Sequence, residues 1–398
     1  MLGRNISAFV SRFSDMWKSV PPLASKFGRS FSPSEQLENE LRLKAILPGN
    51  MHSLERQNDV RIYIPRLRHF LTNLILRSVD SRWREEISAI LGPMFDAGSE
   101  FAEQAREYDR NLQIQEIFQA LRNIWIVNSI QAGFGLPVRV NPSGFSYSLL
   151  YTYTDSFLDN EDVTYAEKVR FGSTFEQRLR GIDVESETEM FSKVSNLVLH
   201  IEEEHPRSSF PDVYESLLAI HRAQQQSLRQ RFENGSDILA FTVEKGGTSV
   251  LADGFLIKGE LTHLEQEICF GYGVFLQMID DLQDVEEDLN RGSETLFTQA
   301  ARENTLDEMT CRLAAYIRKI LDSAGWLIKS RVSGLMELIL QGCYGIILES
   351  VALNPKLFSE EFACTHEPFS PLSFEAIRSL HKDHALMESE LVSLPPTV

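Results

Sequence analysis

The sequence predicts an all-α protein, built as a single large helical bundle. Apolar residues recur at helical spacing almost continuously from about residue 55 to 350, and alternating strand-like runs are scarce. Glycine and proline cluster at a few joints of the kind that connects helices. The clearest stripes are Leu71, Leu74, Ile75 and Val79; Ile114, Ile117, Phe118, Leu121, Ile124 and Trp125; and Ile317, Ile320, Leu321 and Leu327. The expected joints are 133–144, 203–211, 233–237, 244–247 and 289–294.

The composition is that of an ordinary globular chain with a strong excess of acid. Of 398 residues, 43% are hydrophobic and 24% are charged, and the formal net charge is −18. Such a charge repels phosphate backbones and argues against nucleic-acid binding, but it suits divalent cations. Four scattered cysteines without a CxxC pair favour a reducing, cytoplasmic location. The apolar segment 342–353 is too short for a membrane span and contains Glu349.

Three segments differ in composition. Residues 1–31 are basic, with an amphipathic helix that ends at Pro21-Pro22. This helix could pack on the bundle, lie on an anionic membrane through residues 1–20, or be a cleaved targeting peptide. Residues 32–354 form the expected bundle. Residues 355–398 contain several prolines and predict a looser tail with one helix near 373–392.

The segment 146–162 combines tyrosines with acids. Its key residues follow one another at i, i+4, i+8 and i+12, which places them on one slowly drifting face of a helix. They are Tyr147, Tyr151, Asp155 and Asp159. Carboxylates four residues apart on a helix repel each other, and a bound cation would offset that repulsion.

The segment 268–292 is an apolar helix that leads into a row of acids. Asp280, Asp284 and Asp288 share one face, with Gln277 one turn earlier. Gly271 and Gly273 keep the helix slim, so that another helix or a ligand can approach closely. A solvated acidic surface explains either segment alone. Together, two apolar helices that end in carboxylates suggest that both line one site.

Magnesium is the cation that fits this donor set, because it prefers oxygen ligands and is often shared with substrate phosphates. Opposed carboxylates above an apolar tube could hold several Mg²⁺ ions that clamp a diphosphate, while the tube holds its hydrocarbon tail. The ions would neutralise charge on a departing diphosphate. Tyr147 and Tyr151 could stabilise the remaining carbocation through their π faces.

These motifs resemble the class I isoprenoid synthases, a superfamily of trans-prenyltransferases, squalene/phytoene synthases and class I terpene synthases. Asp280, Asp281 and Asp284 resemble the DDxxD of chain-elongating enzymes, and Asp284 and Asp288 resemble the DxxxD of squalene/phytoene synthases. The segment 155–169 is similar to the first squalene/phytoene motif. The resemblance implies a bundle of the isoprenoid synthase type with a central apolar cavity, closed at one end by aromatic residues.

The resemblance also implies roles for individual residues. Asp155, Asp159, Asp280, Asp284 and Asp288 would bind three Mg²⁺ ions together with the substrate diphosphate, and Asp281 would be a supporting or alternate ligand. Lys245, in the segment EKGGTS, looks like the diphosphate-contacting lysine of prenyltransferases. Arg170, Arg291 and Gln277 are further substrate-binding candidates.

The departures from the family pattern bear on the reaction. Thr154 stands where elongating enzymes carry the first aspartate of DDxxD, and the segment that grips isopentenyl diphosphate is missing. This favours a terpene synthase, a lyase that ionises one prenyl diphosphate and cyclises or rearranges the carbocation. The alternatives are a prenyltransferase on the same site, by head-to-head coupling or chain elongation, and a non-catalytic isoprenoid-binding or partner subunit. A homodimer is compatible with each.

Overall fold

The structure is a computed structural model that describes residues 2–22, 27–46, 57–160, 162–184, 188–230, 237–323 and 333–382, without the side chains of 57–65, 67, 159 and 227–230. The all-α prediction is confirmed, because these residues form helices and contain no β-strand. The α-helices are α1 Leu2–Ser19, α2 Pro33–Ile46, α3 Gln57–Ser78, α4 Arg84–Tyr108, α5 Ile114–Gly133, α6 Pro142–Asp159, α7 Tyr165–Leu179, α8 Glu189–Glu204, α9 Pro211–Gln230, α10 Ile238–Lys258, α11 His263–Gln283, α12 Val285–Arg291, α13 Leu296–Glu303, α14 Asp307–Ser323, α15 Ser333–Leu353 and α16 Glu360–His366. A further helical segment spans 374–382.

The bundle is organised around the antiparallel pair α10 and α11. Thr242 near the start of α10 lies beside Asp281 near the end of α11. At the other end of the pair, Gly254 lies against the Cys269 sulfur. Helices α1, α5, α6 and α9 contact α10, while α14 and α15 contact α11. One hydrophobic core runs through these helices, from Leu2 in α1 to Phe374 beyond α16.

Glycines allow α10 and α11 to come into backbone contact. A Cβ atom at Gly273 would lie 1.9 Å from the Gly246 carbonyl oxygen, and one at Gly246 would lie 2.5 Å from the Gly273 oxygen. The expectation that glycine slims this helix for close approach is therefore confirmed at Gly273. At Gly271 the neighbour is the Phe13 ring of α1, 2.8 Å from the position of a Cβ.

The predicted joint at 244–247 is wrong. Gly246 and Gly247 lie inside α10, and both are buried. A glycine pair in a sequence can indicate either a turn or close helix packing, and here packing determines the outcome, because a side chain on Gly247 would overlap the Phe270 ring. Lys245 therefore lies on a helix, not in a loop.

Helix α1 packs on the bundle, the first of the three interpretations of residues 1–31. Phe9 and Phe13 contact the Phe270 ring at centroid distances of 5.3 and 5.8 Å. On its polar side, Arg12 pairs with Glu267 at 2.7 Å. The predicted apolar face is thus part of the core. Membrane contact through residues 1–20 stays a prediction, and it would require release of this face.

The region after 354 is more ordered than the proline content suggests. It contains α16 and the segment 374–382, whereas one helix was expected; residues 383–398, including the end of that expected helix, lie outside the described part. Gln36 of α2 donates a hydrogen bond to the Ser370 carbonyl at 3.0 Å, and the Phe27 ring contacts His366. The described part of the tail therefore packs against residues 27–46.

One described helix, α15, is long and apolar enough to cross a membrane by length and composition alone. It is longer than the segment 342–353 that the sequence suggested. Its most apolar window is 56% buried inside the protein, with side chains such as Tyr344 and Ile347 in the core. No other described helix passes the same test.

Candidate functional site

The first predicted group of acids and the start of the second lie at helix C-terminal ends. Asp155 lies four residues before the end of α6, and Asp159 is its last residue, although the Asp159 side chain lies outside the described part. Asp280 and Asp281 belong to the last turn of α11. A helix C-terminus carries partial negative charge, so carboxylates there are electrostatically unfavourable. Two such ends together create a strongly negative region.

Helix α5 joins the two groups. The Gln119 amide donates a hydrogen bond to Asp155 Oδ2 at 3.3 Å, and the Arg122 guanidinium donates one to Asp280 Oδ1 at 3.2 Å. Residues three apart on a helix are neighbours about 5–6 Å apart at Cβ. Asp155 and Asp280 therefore face the same turn of α5, at the same end of the bundle.

Tyr151 provides a second link between the two groups. Its pKa is raised well above the ordinary value, first by the negative charge of Asp155, then by burial and by the charge of Asp280. The charges of both carboxylates thus act on the same phenol. Tyr147, about one turn before Tyr151 in α6, is buried and donates a hydrogen bond to the Ser249 carbonyl of α10 at 3.4 Å.

The acidic helix is interrupted at Asp284, which corrects the expected single helix face. Helix α11 ends at Gln283 and α12 begins at Val285, with Asp284 at φ −89° and ψ 6° between them. The backbone hydrogen bonds continue from Asp284 to Asp280 at 3.0 Å and from Asp288 to Asp284 at 2.8 Å. The i to i+4 hydrogen-bond pattern from Asp280 to Asp288 is therefore kept across the joint. The side chain of Val285, at the start of α12, is buried in the bundle.

Asp284 carries charge that the protein compensates only weakly. Its pKa is raised to about 7, mainly because surrounding protein disfavours its charged form and then because Asp280 and Asp288 repel it. Its side chain still reaches solvent. A cation that binds here from solution would relieve both penalties.

Asp281 is held between α10 and α11. It is buried and accepts hydrogen bonds from Gln277 Nε2 at 2.8 Å and Thr242 Oγ1 at 3.5 Å. Burial raises its pKa to about 7, against the opposing effect of the nearby positive charge of Lys245. Gln277 and Lys245 thus lie beside the acidic group, and Asp281 is engaged in the helix contact.

Arg291 and Arg170, the two arginines predicted to bind substrate, are both exposed. Arg291 is exposed and pairs with Glu287 at 2.6 Å within α12. Arg170 is exposed on α7, the helix that follows the first acidic segment.

The sequence did not predict Gln119 and Arg122, which contact the carboxylates of Asp155 and Asp280. Their only signal was polarity inside the apolar pattern of α5.

The predicted apolar stripe of α5 is buried only in part. Ile117, Leu121 and Ile124 are buried, whereas Ile114, Phe118 and Trp125 are 43%, 58% and 42% exposed. The helix is rotated relative to the expected orientation because its polar residues face the acids. These polar residues are Gln119, Arg122 and Asn123, each bonded to a carboxylate from a different helix.

A small pocket lies next to the acids, between α6, α7 and α9. Tyr147, Tyr151 and Thr154 line it from α6, and Phe175 and His221 line it from the other two helices. Its volume is about 10 Å³, room for about one water molecule. An open central cavity of the expected size is not found at this position in the described residues. A prenyl chain would require side chains here to move.

The described residues contain no group of three His, Cys, Asp or Glu side chains arranged to hold a metal ion. Magnesium is usually bound by one or two carboxylates together with substrate phosphates. Asp155, Asp280 and Asp284 supply hard oxygen donors of the kind that such a shared site uses. Since the pKa of Asp284 is raised, added positive charge would favour its ionised form.

A buried carboxyl below the acids was not anticipated. Asp253 of α10 is fully buried, and it accepts a hydrogen bond from Asn123 at 3.0 Å. Its other oxygen, Oδ2, has no hydrogen-bond partner in the structure. Burial raises its pKa well above the ordinary value, so the folded protein holds a proton on this group more tightly than the unfolded chain does.

We expect Asp253→Asn to flatten the pH dependence of stability above about pH 4. The folded state keeps a proton that the unfolded chain releases, so wild-type stability falls as pH rises through this range, by at most about 1.4 kcal/mol per pH unit. The neutral amide removes that dependence. Urea unfolding from pH 5 upward measures it, and an unchanged slope in the variant would contradict the assignment.

Asp109→Asn is the matched control, with the opposite sign. Burial alone would raise the pKa of Asp109, but hydrogen bonds from Lys193, Asn111 and Tyr153 outweigh it and lower the pKa. Its stabilising contribution is present above the unfolded pKa and is lost as pH falls through the lowered one. Asp109→Asn should therefore flatten only the acidic limb.

A scan against models of known protein families finds no match to the chain, and a search of curated proteins also finds none. Function is therefore inferred from the residues and their geometry.

Proposed function

We propose that the chain is a Mg²⁺-dependent class I terpene synthase that ionises an allylic prenyl diphosphate and releases diphosphate. The observation that carries the proposal is the pair of α5 contacts, Gln119 with Asp155 and Arg122 with Asp280, since they hold the two acidic groups against one turn of one helix. The resemblance of both motifs to the class I isoprenoid synthases and the all-α bundle agree with it.

In this proposal the carboxylates hold the diphosphate end of the substrate through metal. Asp155, Asp159, Asp280, Asp284 and Asp288 would be the ligands, and bound Mg²⁺ would neutralise charge on the departing diphosphate. Asp281, fixed by Gln277 and Thr242, keeps α11 in register with α10. Lys245 of α10, whose positive charge opposes the rise in the pKa of Asp281, would contact the diphosphate.

The hydrocarbon end would occupy an enlarged form of the pocket beside Tyr147 and Tyr151. Their rings would stabilise positive charge on carbon, at a distance from the carboxylates set by the helix rise. Apolar neighbours such as Phe175 and Leu217 would keep water away from that carbocation. Arg170 and Arg291 would be further diphosphate contacts.

The test is incubation of the protein with Mg²⁺ and geranyl, farnesyl, geranylgeranyl or geranylfarnesyl diphosphate, with and without isopentenyl diphosphate. We expect diphosphate release and a hydrocarbon or alcohol from a single substrate, abolished by EDTA. Product only with isopentenyl diphosphate would favour chain elongation, and a product of doubled carbon number would favour head-to-head coupling. No turnover with any substrate would contradict the proposal and favour a binding subunit.

A further inference from the structure

Arg122 of α5 is a cation in direct contact with the acidic group. Its guanidinium contacts Asp280 Oδ1 at 3.2 Å. Its positive charge also opposes the raised pKa values of Asp284 and Tyr151, and that of Glu349 on α15. One side chain of α5 therefore acts on acids of α11, on the joint before α12 and on α15.

The contact with Asp280 is of a kind that can exchange. The side chains of Arg122 and Asp280 are 61% and 37% exposed, and ion pairs in solvent contribute little to stability. The same Asp280 carboxylate is a ligand in the function proposed above. Arg122 and a metal ion therefore compete for one carboxylate.

The guanidinium of Arg122 is also suited to bind a diphosphate. A guanidinium is planar, stays charged and matches phosphate oxygens with parallel hydrogen bonds. Its backbone is fixed, because the neighbouring Asn123 is hydrogen-bonded to both Ser148 and Asp253 inside the bundle. The guanidinium can thus leave Asp280 without moving α5.

We infer that Arg122 is a tethered counter-cation: it pairs with Asp280 in the metal-free protein, yields this carboxylate to the divalent ion and then pairs with the diphosphate. This inference rests on the proposed function. It differs from a simple phosphate contact because it requires Arg122 to oppose metal binding and to favour diphosphate binding.

The two roles predict opposite effects of Arg122→Gln. Binding of Mn²⁺ alone, followed by electron paramagnetic resonance of the free ion, should become about 2- to 5-fold tighter, the equivalent of losing one exposed ion pair. Binding of inorganic diphosphate in the presence of Mg²⁺, followed by calorimetry, should become about tenfold weaker or more, because a charge-assisted contact is lost. In the Asp280→Asn background, Arg122→Gln should give no gain in Mn²⁺ affinity.

Arg180→Gln is the matched control, since Arg180 is also half-exposed and pairs with one carboxylate, Glu176, at 2.7 Å beyond the C-terminal end of α7. It should leave both affinities unchanged. Unchanged affinities in Arg122→Gln, or weakening of both together, would overturn the counter-cation role while leaving the proposed function intact. If the wild-type protein binds neither Mn²⁺ nor diphosphate, the proposed function itself fails, and this inference fails with it.

Discussion

Asp284→Ala is expected to reduce diphosphate release at least about a hundredfold, more than the loss of a residue that only supports a ligand. Asp284 lies between Asp280 and Asp288 at the joint of α11 and α12, and in the proposed function it is a metal ligand. The same change should not unfold the bundle. The side chain reaches solvent and is repelled by its acidic neighbours, so its removal should leave the melting temperature unchanged or raise it.

The combination of lost activity and retained stability is what distinguishes a ligand from a structural residue. Glu286→Ala is the matched control, because Glu286 is an exposed acid of the same segment outside the i, i+4, i+8 row. It should retain diphosphate release close to wild type. Turnover of Asp284→Ala at the wild-type rate would contradict the assignment of this carboxylate.

Gly273→Ala is expected to have the largest effect on stability, a loss of about 3 kcal/mol in the free energy of unfolding. The new Cβ would lie 1.9 Å from the Gly246 oxygen and 2.8 Å from the Gly246 carbonyl carbon, both backbone atoms that cannot rotate away. The two helices must therefore separate. Because α10 contains Lys245 and α11 contains Asp281, their separation would also disturb the interaction between these two residues. Urea unfolding gives the free energy, and wild-type stability would contradict the packing described for α10 and α11.

Gly345→Ala is the control for that experiment. Gly345 lies in helix α15, and a Cβ there meets nothing within 4 Å. Because alanine favours a helix over glycine by about 1 kcal/mol, this variant should be neutral or slightly stabilised. The difference in unfolding free energy between Gly273→Ala and Gly345→Ala separates the effect of close packing from that of helix propensity.

Much of the fold follows from local patterns. The face of α1 that contains Ile6, Phe9 and Phe13 was predicted from spacing and is buried as expected. Ile317, Ile320 and Leu321 are also buried, while Leu327 lies outside the described residues. The pattern failed at Gly246-Gly247, because a glycine pair has the same local signature in a turn and in a helix crossing.

The candidate site was predictable where its residues are close in sequence and not where they meet across the fold. The spacing of Asp280, Asp284 and Asp288 is a local property, and the helix joint preserves it. The contact of Arg122 with Asp280 joins residues 158 positions apart, and no local pattern encodes it. The size of the pocket depends on how Tyr147 and Tyr151 pack against α7 and α9, which spacing also does not determine.

The central claim is that the acids near 155 and those at 280–288 bind the same ions. The most direct measurement is anomalous X-ray scattering from crystals of the protein grown with Mn²⁺ and inorganic diphosphate. We expect Mn²⁺ peaks between the carboxylates of Asp155 and Asp284, with the diphosphate on the same ions. Peaks bound to only one of the two groups, or ions and diphosphate bound elsewhere on the protein, would contradict the claim.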